Sequence, residues 1–216
     1  MTEENPLVQG LLGIHKVITR GLAISIQKCD EYMSKDGILQ REAAGFSMYV
    51  STLKWITHSH HLSEDEVVFP EIKDRIVAPY ERLHGDHQEI TRILDSVGHA
   101  LSGLSNKNGV EKVQRELREF EKPWGPHIRT EEESFAAEKV LLLVGTQEQL
   151  KLSAKVGEHG MKSSGPPTLG IPFLLYNLEG NDRATFSAPF PWILKRVLVP
   201  IIWRRRWKPM GPFLLP

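Results

Sequence analysis

Over the first 160 positions the apolar residues recur in steps of three and four, the spacing that lines up one face of an α-helix. From Leu7 to Met33 this seam reads Leu11, Ile14, Ile18, Leu22, Ile26 and Cys29, and Asp36-Gly37 ends it. A second helix is predicted from near Arg41 to about Glu66, with Phe46, Val50, Leu53 and Thr57 inward. Pro70 and Pro79 bracket a connection, after which Tyr80, Leu83, His87, Ile90, Leu94, Val97 and Leu101 mark a third helix. The turn-rich loop SGLSNKNG, residues 102–109, leads into a fourth, with Val110, Val113, Leu117, Phe120, Trp124, His127, Glu131 and Phe135. Gln147 to His159 predicts a fifth. The pattern predicts an all-α protein: an up-down four-helix bundle over residues 1–160, closed by an additional helix and followed by an extension over residues 161–216.

Polar residues interrupt these seams. His15 lies four residues after Leu11 and three before Ile18, so it points inward. In the stretch HSHHLSEDEVVFP, His58 to Pro70, the second seam continues by threes and fours to His60 and Glu64, then to Val67 or Val68. His87 occupies the third seam, and His127 and Glu131 the fourth. Buried without partners, such groups cost roughly a few kcal/mol each. A hydrogen-bonded network would satisfy them, and so would metal. Four imidazoles and two carboxylates can hold two metal ions, with carboxylates bridging and nitrogens terminal.

Two ambiguities of one residue remain. His61 lies about 100° from His60 around the helix and also follows Val50 at a helical repeat, which leaves His61 with Asp65 as an alternative pair. On the fourth helix the seam selects Glu131, whereas Glu132 and Glu133 are rotated away. His84 sits at the edge of the third helix's inner face. His99 and His159 are assigned to the surface. Pro123 and Pro126 each remove a backbone donor, which predicts a kink one turn before His127.

Charge is balanced, 27 basic against 27 acidic residues, and argues against nucleic acid as partner. Cys29 is the sole cysteine, so no internal disulfide forms. Its place on a buried face predicts an inert thiol. The acidic start MTEENP lacks the basic and apolar parts of a secretory leader. The apolar stretches near the end are broken by Pro172, Pro189, Pro191 and Pro200, well short of the roughly 20 residues of a spanning helix. These features predict a soluble, cytoplasmic protein.

HSHHLSEDEVVFP resembles the His-His-Glu cation-binding signature of hemerythrin-like proteins, where a histidine, a glutamate four residues later and a following Phe-Pro recur. GDHQEITRIL, residues 85–94, is similar to that family's third-helix motif, and PHIRTEEESF, residues 126–135, to its fourth-helix motif. His15 falls where the first-helix ligand belongs. The resemblance covers about residues 7–160. It implies a non-haem diiron centre bridged by Glu64, Glu131 and an oxo or hydroxo group, with His15, His60, His87 and His127 as terminal ligands. Oxygen-carrying hemerythrins have a fifth histidine one turn before the His87 position, and here that residue is Leu83. Either His84 substitutes or one coordination position is open. The carrier's spacing would also select Glu132 where the seam selects Glu131.

The resemblance implies binding or sensing of dioxygen or iron. The alternative is a diiron oxidase or oxygenase acting on a small organic substrate in a pocket covered by the extension. Without a substrate, no acid, base or nucleophile can be assigned. The extension begins with a linker, MKSSGPPTLGIP at residues 161–172, and sustains no helical period until Pro191 to Trp207. After Pro189 it carries six basic residues and no acid, with three of the five tryptophans. Its residues Phe173, Leu174, Leu175, Tyr176, Phe186, Phe190, Trp192 and Ile193 are expected to pack over the bundle. Contact of Trp192 to Trp207 with a membrane surface is the less favoured reading.

Overall fold

The computed structural model describes residues 5–216, and among them all regular structure is helical. The acidic start of the chain lies mostly outside the described residues. Helix α1 runs Pro6–Ser34 and α2 Ile38–Ser63. Asn5 caps α1, its side chain accepting from the Val8 amide, and Pro6 stands at the first position, where no donor is needed. Gly37, at φ 78°, makes the left-handed turn between the two. Beyond α2 the chain stays helical through a π turn, Glu64–Val68, and a short α3, Phe69–Ile72. Helix α4 runs Tyr80–Leu101 and α5 Lys107–Ser134, the latter capped by Asn106. α1 packs on α2 and α5, and α4 packs on α5 and α2, so the four long helices close a ring.

The ring has three layers. Val17, Ile18, Leu22, Phe46, Leu53, Ile56, Ile90, Val113, Phe120 and Trp124 belong to one large apolar cluster. Val8, Phe69, Ile72, Leu83 and Phe135 belong to a second. Each long helix leaves one cluster and enters the other, and between them it carries its inward polar residues: His15 on α1, His60 and Glu64 at the end of α2, His87 on α4, His127 and Glu131 on α5.

Several elements differ from the sequence expectation. The second seam resumes at buried Phe69, with Val67 and Val68 only half-buried, because the π turn inserts a five-residue step. The fifth helix, α7 Thr146–Ser163, follows the unforeseen α6, Ala137–Leu143, and packs on α1, α2 and the π turn. The expected linker at 161–172 is largely helical: α7 extends to Ser163, and α8 spans Pro167–Tyr176. Helix α8 shows no period because it is covered on two sides. Phe173 enters the main cluster, while Ile171 and Leu175 pack with Val199.

The rest of the extension comprises α9 Gly180–Phe186, a π-helical segment Leu194–Ile202, α10 Arg204–Trp207 and a 3₁₀ turn, Lys208–Phe213. Met210 and Phe213 are completely buried in the main cluster, with the Phe213 ring against Phe46 and Tyr49. Trp192 and Ile193, expected to pack inward, are instead exposed. Cys29 is buried, and burial pushes its thiol up to about 12, which keeps it protonated.

At Gly45 the α2 backbone meets the Pro209 carbonyl so closely that a methyl group would collide with it. Gly45→Ala should therefore destabilise the protein by about 1–3 kcal/mol in chemical denaturation. Gly10→Ala, with open space around it, should stabilise by roughly 0.5–1 kcal/mol. Phe213→Ala should cost about 3–5 kcal/mol.

Candidate metal centre

The polar layer is buried. His15, His61, His87, His127, Glu64 and Glu131 are all buried, and His60 sits at the same depth. Their ligand-capable atoms fall into two groups. One comprises His15, His60, Glu64 and Glu131; the other comprises His61, His87 and His127; within each, the atoms lie within 4.8 Å of one another.

The two carboxylates stand between the groups. Glu64 Oε2 is 3.5 Å from both His60 Nε2 and His87 Nε2. Glu131 Oε2 lies 3.1 Å from His15 Nε2 and 3.5 Å from His127 Nε2, and its Oε1 is 3.5 Å from His87 Nε2. Each carboxylate therefore faces histidines of both groups, the placement a bridge requires.

Consecutive histidines on one helix serve different groups. His60 and His61 are about 100° apart, so when the seam passes between them both side chains reach the interior on either side of it. The sequence offered His60 with Glu64 or His61 with Asp65; the structure brings His60, His61 and Glu64 inward together. His61 stacks on His87 with ring centroids 4.1 Å apart. His84, the candidate substitute for the missing fifth histidine, stands largely exposed outside the cluster. The signal that could have found His61 was the tandem pair itself.

Carboxylates also surround the histidines from outside. His15 Nδ1 pairs with Glu132 at 2.9 Å, and His87 Nδ1 with Asp65 at 3.0 Å. His127 Nδ1 looks toward Asp86 at 3.5 Å. Such partners fix the ring orientation of a ligating histidine and leave Nε2 facing the metal. Glu132 and Asp65, the sequence alternatives for inner acids, are thus the outer partners of His15 and His87. Asp65 also holds His84 at 3.1 Å. His159, assigned to open surface by its sequence, joins Ser63 to Glu66 and ties α7 to the π turn.

The electrostatics differ from residue to residue within each group. Burial and the charge of Glu131 push the Glu64 carboxyl well above the carboxylate range. Burial would raise Glu131 too, but His15, His87 and the other imidazoles outweigh it and hold that carboxyl well below its ordinary range. Burial, aided by neighbouring imidazoles, drives His60 and His61 well below the usual histidine value. His15 and His87 lie the other way: burial lowers them, but the carboxylates of Glu131 and Glu132 around His15, and of Asp65 and Glu131 around His87, outweigh it and raise both above the usual histidine value. Neutral His60 and His61 beside ionised Glu131 present lone pairs.

The decisive observation is that these lone pairs have no partner. His60 Nε2, both ring nitrogens of His61 and of His127, His87 Nε2, Glu64 Oε2 and Glu131 Oε1 are buried without a hydrogen bond. Leaving buried groups unsatisfied costs about 1–3 kcal/mol apiece, and a hydrogen-bonded network would have removed that cost. A cation takes up the lone pairs among them, one nitrogen per neutral imidazole and the carboxylate oxygens, so the residues fit a metal. Trp124 lies 5.7–6.4 Å from the rings of His15, His60, His61 and His127, and Phe69 stacks 5.9 Å from His87. Together they cap the layer with apolar rings.

Fold and site define a helical bundle with a nitrogen- and carboxylate-rich cation site at its centre. Residues 7–138 match the family described as the hemerythrin HHE cation binding domain, and the chain belongs to that family. No curated protein and no solved structure matches it.

His61→Ala should lower bound metal measured by elemental analysis, because the three-histidine group loses a ligand. His84→Ala should leave it unchanged. Asp65→Asn should weaken metal affinity by about 10- to 100-fold while the fold persists, as judged by circular dichroism.

Proposed function

We propose that this protein is a non-haem diiron protein whose function is reversible binding of dioxygen, in carriage or sensing. One ion would take His15 and His60, the other His61, His87 and His127, with Glu64 and Glu131 bridging the pair. The observation that carries this reading is the two sets of unpartnered ligand atoms sharing two carboxylates. The donor set, nitrogen with carboxylate oxygen and no thiolate, is compatible with iron as with other first-row divalent metals, and the family resemblance selects iron. Bound iron would supply the electrons and Lewis acidity that dioxygen binding requires.

The chain's own residues contribute cover and access. Trp124 and Phe69 cover the layer with apolar rings. Ligands divide unequally, and two of the three-histidine group, His61 and His87, line a groove. A groove of about 380 Å³ opens over His61 and His87 between α2 and α4, bordered by His58, His84, Gln88 and Arg92. A small molecule can reach this side.

The same groove supports a second reading, a diiron oxygenase, because its size suits a small organic molecule and its rim carries His58, His84 and Arg92. Its lining includes no residue of 161–216, so a pocket roofed by the extension has no support at this place.

The test is addition of dioxygen to the anaerobically reduced, iron-loaded protein. Carriage or sensing predicts a visible absorption change that reverses on removing oxygen and repeats over cycles. Oxygenase chemistry predicts one irreversible turnover with oxidised product. The diiron reading fails if reconstitution yields less than about one equivalent of iron and His60→Ala or Glu131→Ala changes nothing.

A further inference from the structure

We propose that the C-terminal helix docks this protein on an anionic lipid surface, through outward Trp192, Ile193, Ile201 and Ile202 and the arginines beside them. Four large apolar side chains on one short segment are exposed, by 69, 52, 66 and 59 % respectively. Trp192 and Ile193 stand in the helical residues just before the π-helical segment and Ile201 and Ile202 close it, nine residues on. In a helix bonded from i to i+5, nine residues make about two turns, so the two pairs project from the same side. Exposed Arg196 falls about one turn from each.

The fold cannot turn these residues inward. Val199, on the other side of the segment, is completely buried against Ile171 and Leu175. The Trp207 indole donates to the Val199 carbonyl at 2.8 Å and its ring lies 5.1 Å from Tyr176. Met210 and Phe213 then fasten the end of the chain in the main core. The segment is held with its apolar side out.

Charge selects the occupant. After Asp182 there are seven basic residues and no acid, which leaves 20 basic against 27 acidic residues in the preceding part of the chain. Lys195, Arg196, Arg204, Arg205, Arg206 and Lys208 form no ion pair among the described residues. Elsewhere cations such as Lys16, Arg75 and Lys155 are matched with carboxylates. Cations interleaved with tryptophan and isoleucine suit the boundary between headgroups and acyl chains. The acidic body is repelled by the same surface, which orients the molecule with its extension toward lipid. Nucleic acid would use the cations but not a row of isoleucines. A symmetric contact between two copies would bring like charges together.

The test uses the full 216-residue chain, with vesicles of phosphatidylglycerol and phosphatidylcholine compared with vesicles of phosphatidylcholine alone. Binding is read by co-flotation and by the emission shift lost in Trp192→Phe. We expect binding to the anionic vesicles that weakens with salt, and about tenfold or more less binding to phosphatidylcholine. The combined Arg204→Gln, Arg205→Gln and Arg206→Gln variant should bind on the order of 100-fold more weakly. Ile201→Ser with Ile202→Ser should reduce binding roughly tenfold, with circular dichroism unchanged. The proposal is overturned by absence of flotation at low salt, or by flotation that neither variant alters. Tighter binding of a duplex oligonucleotide than of vesicles also overturns it, as does a dimer that covers Trp192 and leaves vesicles unbound.

Discussion

The constraint on which this structure turns is a buried polar layer between two apolar clusters. Hydrophobic burial on both sides holds four helices together, and the histidines and glutamates at mid-height are carried inside by the same helical phase. Their cost is tolerable only if something accepts their lone pairs, because too few donors from the chain reach them. The helices thus supply a scaffold of ordinary apolar packing, and its stability is linked to the cation its centre can hold.

The π turn at Glu64–Val68 is how α2 serves both purposes. Up to His61 the helix follows its normal period, placing His60 and His61 on either side of the seam. The Glu64 amide faces the carbonyls of both His60 and His61, and the Phe69 amide reaches the Glu64 carbonyl. The added residue sends Asp65 toward α4, where it meets His87 and His84, and brings Phe69 back into the second cluster. Helix α7 braces this turn through His159, bonded to both Ser63 and Glu66. An irregular turn is thereby tied at the point where its registry matters.

The extension is part of the same core. Asn177 accepts from Tyr49 and from Arg20, and Arg20 also donates to the Phe213 carbonyl, so α1, α2 and the chain end meet at one buried polar knot. Close packing there requires Gly45 on α2 and Gly21 on α1, where Leu53 and the Phe173 ring crowd the backbone. In the π-helical segment Val199 is buried and Leu194 packs beside it, while Ile201 and Ile202 at its end face outward.

By itself the sequence determined the four long helices and six members of the polar layer, His15, His60, Glu64, His87, His127 and Glu131, because a seam of threes and fours is a local property that survives without any knowledge of neighbours. It could not separate choices one residue apart. His60 and His61 differ by a rotation smaller than the width of an inner face, and only three packed neighbours show that both lie within it. Leu83 belongs to the apolar cluster and His84 to the surface for the same reason: the face of α4 is set by α2 and α5, not by α4. Helix α8 left no period to read since it is covered on opposite sides, and the π turn left none since it changes the period itself. Which apolar residues of the extension are covered and which face out was likewise decided by tertiary structure, where Val199, Met210 and Phe213 find buried neighbours while Trp192 and Ile201 face out.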